Sequence, residues 1–282
     1  MLALAMTVCL VGLLAFGLLS ISSPINVLIL GIDRRPGEGD AVRTDTILML
    51  QADPGSRRLV LLSIPRDLWV TIPGMGEERI NAAHVYGELT AAGSGPARVA
   101  ETIGYNFGVP VHRNLRLDFD AFREVIDAAG GIEIDVPVPI IDNAYPTNDY
   151  GTVRIEIPAG LQHMDGETAL QYARSRHGSS DYDRAARQQQ IFVALAKKLA
   201  RPNGWFLVPR VYRAFQNAVD TDLTFRDLAM LVLAWQRAGD DGVERIVIDR
   251  ELTTPFSTAQ GAAVLLPRWD LIHPLMRARF AP

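Results

Sequence analysis

INVLILGI, residues Ile25 to Ile32, is a continuous apolar run of strand length and β-rich character. A strand with one wet face alternates apolar and polar side chains; this one does not, so it belongs under cover on both faces. Pro24 bounds it in front and Asp33 ends it abruptly behind. The polar segment RRPGEGDAVR, Arg34 to Arg43, carries Pro and Gly turn signals. Thr46 to Leu50 and Leu59 to Ile64 then read as two strands joined across Asp53-Pro54-Gly55, a hairpin of the sheet. Three charged clusters fall at strand ends: Asp33-Arg34-Arg35, Arg43-Thr44-Asp45 and Arg66-Asp67. With the strands side by side they meet on one rim, where sheet proteins commonly bind ligands, although turn residues without function occupy the same places.

Further along, Trp69 to Ile72 reads as a short strand ahead of the turn Pro73-Gly74-Met75-Gly76, and Arg79-Ile80-Asn81 follows. Val99, Ile103 and Phe107 share one face of a helix over Pro96 to Phe107, closed by Gly108. Phe119, Phe122, Val125 and Ile126 repeat the pattern over Phe119 to Ala128, with Asp118 as N-cap and Gly130-Gly131 as the stop. Ile132 to Val138 and Thr152 to Ile157 alternate as strands, and Pro139 to Tyr150 between them reads as a long surface loop, a candidate lid. A helix runs through Glu167 to Arg174. A second, beginning near Asp183, turns Ile191, Phe192, Leu195 and Leu199 toward the sheet. Helices near Leu207 to Ala218 and Phe225 to Ala238 and a strand over Val243 to Ile248 complete the reading. No linker or repeat divides these elements, so one domain is the simplest organisation.

The composition is that of a globular protein, and a net charge of -4 over 282 residues argues against a general nucleic-acid binder, which shows a basic footprint over a whole face. A single cysteine, Cys9, excludes a disulfide framework and a cysteine zinc site. Met1 to Ile21 holds no charged residue. As a helix it extends about 31 Å, against a hydrocarbon thickness of roughly 30 Å, and reads as a membrane anchor, residues 1–22, or as a signal segment without a basic n-region.

Within that weakly acidic chain, YARSRHGSSDYDRAARQQQ, Tyr172 to Gln190, gathers Arg174, Arg176, Arg184 and Arg187. Arginine offers a planar fork of donors that fits phosphate oxygens two at a time and stays charged, so this density points to a phosphate or pyrophosphate ligand; a solvated helix face paired with acids is the alternative. The chain has no G-x-S-x-G elbow, P-loop or H-E-x-x-H, which leaves carboxylate and arginine chemistry. Asp33 and Asp45 are positioned in sequence to share a hard divalent ion such as Mg2+, or else to form surface ion pairs. Arg66 is either a guanidinium held at the sheet edge or the salt-bridge partner of Asp67.

NVLILGIDRR, RTDTILML, LLSIPRD, RINAAHVYG, DFDAFREVIDAAGGI and ALQYARSRHGSSDYDRAARQQQ occur in the order and roughly the spacing seen in the LytR-CpsA-Psr family of bacterial cell-envelope proteins, and the chain resembles that family most strongly over residues 25–200. The resemblance implies an α/β fold, a three-layer α-β-α sandwich with a central mixed sheet, preceded by one N-terminal transmembrane helix. The catalytic domain, 25–282, would lie outside the cell membrane on a single-pass anchor. It implies a Mg2+-dependent phosphotransferase that moves a glycopolymer from a polyprenyl-pyrophosphate carrier to peptidoglycan, forms a phosphodiester link and releases polyprenyl phosphate.

Carried over by motif, Asp33 and Asp45 hold the metal, and Arg66 with these two acids forms the catalytic set. Arg35, Arg66, Arg174, Arg176, Arg184, Arg187 and Gln188 bind pyrophosphate. The lipid chain would lie in an apolar groove to which the helices bearing Val99 and Ile191 contribute, and Asp45 and Asp67 are the candidate general bases. A helix N-terminus near Arg184 would add partial positive charge. The chain departs from the family pattern at Glu88, where a second glycine is frequent, and at Arg79, where lysine is usual. Two other activities fit the same residues: hydrolysis of the lipid pyrophosphate by water, and non-catalytic binding of polyprenyl phosphates.

Overall fold

The computed structural model describes residues 24–34, 39–53, 55, 57–147, 151–175, 180–218 and 220–280. The expected anchor, Arg35 and Arg176 lie outside them. Among the described residues no helix is long and apolar enough to cross a membrane.

In chain order the elements are β1 (Ile25–Ile32), β2 (Thr44–Asp53), β3 (Arg58–Ser63), β4 (Trp69–Ile72), β5 (Gly76–Arg79), α1 (Ala82–Thr90), α2 (Gly95–Phe107), β6 (Arg113–Leu117), α3 (Phe119–Ala128), β7 (Ile132–Val136), β8 (Ile140–Pro146), β9 (Thr152–Ile157) and β10 (Gly160–Met164). They continue with α4 (Gly166–Arg174), α5 (Asp181–Ala200), α6 (Val208–Ala218), β11 (Asp220–Thr221), α7 (Phe225–Ala238), β12 (Val243–Val247), β13 (Thr253–Ser257), β14 (Ala263–Pro267) and α8 (Trp269–Phe280).

The central sheet is six-stranded and mixed, in the order β11-β6-β1-β2-β3-β12. β1 to β3 form an antiparallel meander; β6 joins β1, and β12 joins β3, in parallel. The continuous hydrophobicity of β1 has the expected cause. Leu28 and Leu30 pack with Ile47, Met49, Val60 and Leu62 beneath α2 and α8, whereas Val27 packs with Leu48, Leu50, Leu59 and Leu61 beneath α5 and α7. Full burial of each such side chain stabilises the fold by about 1.5 to 3 kcal/mol, so both faces are driven under cover.

Two expectations need correction. The segment read as a loop and candidate lid, Pro139 to Tyr150, contains β8, paired antiparallel with β9. Tyr145 and Asp142 are buried inside it, and its register shifts between Asp142 and Tyr145, which breaks the alternation that marks a strand in sequence. The helix expected near Asp183 begins there, at Asp181, where Ser180 caps it through a reciprocal pair with Asp183. Val99, expected beside Ile191 in an apolar groove, belongs to the core on the opposite face of the sheet from Ile191's helix.

Candidate functional site

The antiparallel return of the chain brings the end of β1 and the start of β2 to one rim. Gly31 pairs with Thr46 and Ile32 with Thr44, so the register slips and Asp45 is the extra residue of a bulge. A bulge re-aims the side chain that it leaves unpaired, here an acid at the sheet's edge. Gly31 is needed beside it: a Cβ there would stand 3.0 Å from Thr46 Cβ. β3 returns with Ser63 opposite Leu48, and Ile64-Pro65-Arg66 leaves on the same rim.

Arg66 donates through Nη1 to Oδ1 of Asp45, and its Nε lies 3.6 Å from Asp67 Oδ2. Asp67 Oδ1 is in turn 3.4 Å from Arg79 Nε. Burial opposes the charge on Arg66, but attraction to and hydrogen bonding with Asp45, then attraction to Asp67 and Asp181, outweigh it and hold the guanidinium above its ordinary value. Both readings of Arg66 thus hold at once: it is salt-bridged, and it is fixed at the rim.

Arg174 ends α4 with its guanidinium carbon 3.8 Å from the centroid of Phe119 and 5.4 Å from that of Tyr145. Its Nη1 donates to Tyr145 Oη at 3.4 Å and its Nη2 lies 3.8 Å from Asp33 Oδ2. The two rings orient the cation toward Asp33. Sequence patterning marks neither ring as part of a site: Phe119 falls on the apolar face of a helix, and Tyr145 falls in a segment without strand alternation. Burial raises the Tyr145 hydroxyl above its ordinary value, and Arg174 only partly opposes this, so it stays a neutral acceptor.

The Gln188-Gln189-Gln190 run divides its labour by helical phase. Gln189, 2% exposed, donates to Ser63 Oγ at 2.9 Å and to the Ile246 carbonyl at 2.8 Å, locking α5 onto the sheet. Gln190 accepts from the Tyr172 hydroxyl at 2.5 Å, while Gln188 faces the site. Arg184, nearly buried, has Nη2 3.0 Å from Asp181 Oδ1 and faces the site too. Arg187 is placed differently: Nε donates to the Tyr172 carbonyl at 2.9 Å and Nη2 to the Ser175 carbonyl at 2.5 Å. It joins the end of α4 to α5. The first turn of α5 carries Asp181 and Asp183 together with the Ser180 cap, so its dipole is complemented by its own acids rather than left for a ligand.

These residues separate two cavities. An apolar chamber of about 610 Å³ lies between the sheet and α3, α5 and α6, walled by Ile29, Leu115, Phe122, Ile191, Leu195 and Phe215, with Asp33, Asp45, Arg174 and Arg184 also in its lining. A second, more polar cavity of about 510 Å³ holds Arg66, Asp67, Tyr182, Arg250 and Phe256. Asp45, Thr46, Arg184 and Gln188 line both. Asp33, Asp45, Arg66, Arg174, Arg184 and Gln188, expected from sequence, are therefore brought together, and Arg187 sits behind them.

Among the described residues no group of three or more His, Cys, Asp or Glu forms a metal cage. Asp33 and Asp45 nevertheless suit a hard ion that completes its shell with ligand oxygens and water. Asp33 Oδ1 is buried and has no hydrogen-bond partner among the described residues, as an acceptor awaiting a cation would be.

The departures from the motif pattern have local causes. Glu88 Oε1 accepts from Arg116 Nη1 at 2.6 Å and Gly95 N at 3.0 Å, and Oε2 accepts from Gly93 N at 2.8 Å, so a buried acid closes the α1–α2 turn. Arg79 reaches the Ala263 carbonyl at 2.7 Å while it flanks Asp67.

The solved structure of Bacillus subtilis TagV superposes with a TM-score of 0.75 at 24% identity, covering 92% of this chain and 98% of that one. The protein described as polyisoprenyl-teichoic acid–peptidoglycan teichoic acid transferase TagU from Oceanobacillus iheyensis is 31% identical over 210 residues, 74% of this chain and 62% of that relative. TagV of Bacillus subtilis, described as a transferase in the same words, is 30% identical over 205 residues, 71% of this chain and 50% of its own length. This chain thus spans between half and two thirds of those two relatives. The LytR_cpsA_psr family profile matches residues 16–267, and the chain belongs to that family.

Proposed function

We propose that this protein transfers a glycopolymer from a polyprenyl-pyrophosphate carrier to peptidoglycan. The observation that carries the proposal is the pairing of an apolar chamber of about 610 Å³ with guanidinium groups at its junction with a more polar cavity. A polyprenyl chain matches the first by chemistry, and a pyrophosphate diester, with two negative charges, matches the second. The names of the transferase relatives agree with this reading.

In the proposed reaction an acceptor hydroxyl, that of C6 of muramic acid, attacks the phosphorus bearing the glycan. The oxygen–phosphorus bond to polyprenyl phosphate breaks as the new phosphodiester bond forms, and polyprenyl phosphate leaves with the bonding pair. Arg174 and Arg184 bind the pyrophosphate at the chamber, and Arg66 stabilises the charge that builds on the bridging and equatorial oxygens. Arg35 and Arg176 are assigned pyrophosphate binding by motif. Asp33 and Asp45 would hold Mg2+, which supplies charge neutralisation on the pyrophosphate oxygens. A carboxylate so engaged is a poor base, whereas Asp67 lines the polar cavity and not the apolar chamber, so Asp67 is the better acceptor for the hydroxyl proton. Arg187 acts behind the site, fixing the α4–α5 junction. Residues 1–22 anchor the chain in the cell membrane with the catalytic domain outside.

The full chain, incubated in detergent with a lipid-linked glycan and Mg2+, with and without peptidoglycan, tests this. Glycan coupled to peptidoglycan together with released polyprenyl phosphate is the expected result. Equal lipid release without acceptor would indicate hydrolysis, and binding with no turnover a carrier or sensor.

A further inference from the structure

We infer that the polar cavity of about 510 Å³ is the seat of the acceptor sugar, with Phe256 and Tyr182 as its stacking walls. The inference rests on the transfer reading. In-line displacement at phosphorus requires the nucleophile to approach opposite the leaving oxygen. The lipid phosphate departs on the side of the apolar chamber, so the hydroxyl arrives from the other side of Asp45, Thr46, Arg184 and Gln188, the residues that the two cavities share.

The lining suits a pyranose ring, which has an apolar C–H face and a hydroxylated edge. Phe256, 51% exposed, lines the cavity beside Arg66, Asp67 and Arg250, so its ring offers an apolar face next to polar groups. Arg250 lies 5.7 Å from the centroid of Tyr182, adding a cation and hydrogen-bond donors beside the second ring. Ser257 and Asp67 supply further hydrogen-bonding groups.

Phe256 is also held in register with the reacting centre. It pairs with Val264 in the β13–β14 hairpin. That hairpin is fastened to the Arg66-Asp67 segment, because Leu265 N donates to the Asp67 carbonyl at 3.0 Å and Leu68 bridges to Leu265. A sugar stacked on Phe256 is therefore placed relative to Asp67 by main-chain bonds rather than by a free loop.

A soluble N-acetylglucosamine–N-acetylmuramic acid oligosaccharide is titrated into the full chain and into Phe256→Ala, and the lipid-pyrophosphate donor is titrated into both. The substitution is expected to weaken oligosaccharide binding about tenfold, with Phe256→Tyr restoring it, while donor affinity stays within about twofold. In the transfer assay KM for acceptor rises and kcat at saturating acceptor holds. Weakened donor binding with unchanged oligosaccharide binding would give this cavity to the donor glycan instead, and no change in either would overturn the inference. Oligosaccharide binding that depends on Phe256 without any transfer would sink the transfer reading and leave a sugar site. Transfer with an acceptor KM indifferent to Phe256 would do the reverse.

Discussion

Asp45, the bulged residue of β2, accepts a hydrogen bond from the Arg66 guanidinium across the rim of the sheet. The pair orients Arg66 before any ligand arrives, and such preorganisation is what makes a charge effective in a transition state. Arg66→Ala is expected to lower kcat about 10²- to 10³-fold, as for loss of a preorganised donor. Lipid-pyrophosphate affinity should change by less than about tenfold, since Arg174 and Arg184 remain; Arg66→Lys should recover little, because an ammonium lacks the fork. Single-turnover transfer alongside direct lipid titration checks both. Equal losses in binding and turnover would make Arg66 a ground-state binder.

The buried Oδ1 of Asp33, without a hydrogen-bond partner among the described residues, leads to a metal prediction. Chelation of divalent ions should abolish transfer, and Mg2+ should restore it. Asp33→Asn keeps the shape but removes the charge, so the Mg2+ concentration for half-maximal transfer should rise by about 10- to 100-fold, with the maximal rate partly regained at high Mg2+. An unchanged Mg2+ titration would leave Asp33 as only the partner of Arg174.

Much of this site was legible from local patterning, and the rest depended on contacts distant in sequence. β1 announced its burial on both faces by continuous hydrophobicity, and strand ends placed Asp33, Asp45 and Arg66 on one rim. The exchange between Arg184 and Arg187 was not legible: both sit in the first turns of α5, and only the path of α4 decides that Arg187 meets the Tyr172 and Ser175 carbonyls. α1 carries His84 and Gly87 among its buried residues, a pattern without a plain apolar stripe and so without a helical signature in sequence. The β13–β14 hairpin and α8, with Pro274 inside the helix, lie beyond the matched motifs, and Phe256 went unread with them. β8 carries no strand signal because its register shift interrupts the alternation.

The chamber reading makes a prediction about chain length. Leu117 lines the apolar chamber and is only partly buried, so a larger ring there intrudes on the cavity with little cost to the core. Leu117→Trp should weaken binding of a long polyprenyl pyrophosphate about tenfold, roughly the effect of losing two buried methylenes, and affect a short-chain analogue much less. Competition between long- and short-chain donors measures the difference. Equal effects on both would remove the lipid from this chamber.

His84 gives the stability of the fold a pH dependence whose sign follows from its burial and hydrogen bonds. The ring is fully buried, with Nδ1 2.8 Å from the Val42 carbonyl and Nε2 3.3 Å from Arg116 Nη1. A carbonyl only accepts, and arginine only donates, so Nδ1 bears the proton and Nε2 accepts: the neutral tautomer fits. Burial is the main force holding the imidazole below its ordinary value; Arg116 adds to it, and Val42 and Glu88 only partly oppose it. The unfolded chain therefore binds the proton more readily than the folded one. The stability contributed by neutral His84 is fully present above about pH 6.5 and is lost as pH falls below that through the depressed folded value. Protonation sets an N–H against Arg116, while Nδ1 still donates to the Val42 carbonyl. The melting temperature should be level above about pH 7 and decline from about pH 6.5 toward 5, before most carboxylates titrate. In His84→Gln that slope should vanish, with an overall loss of about 1 to 3 kcal/mol from the buried groups left poorly paired. A slope that persists in the variant would assign the titration to another group.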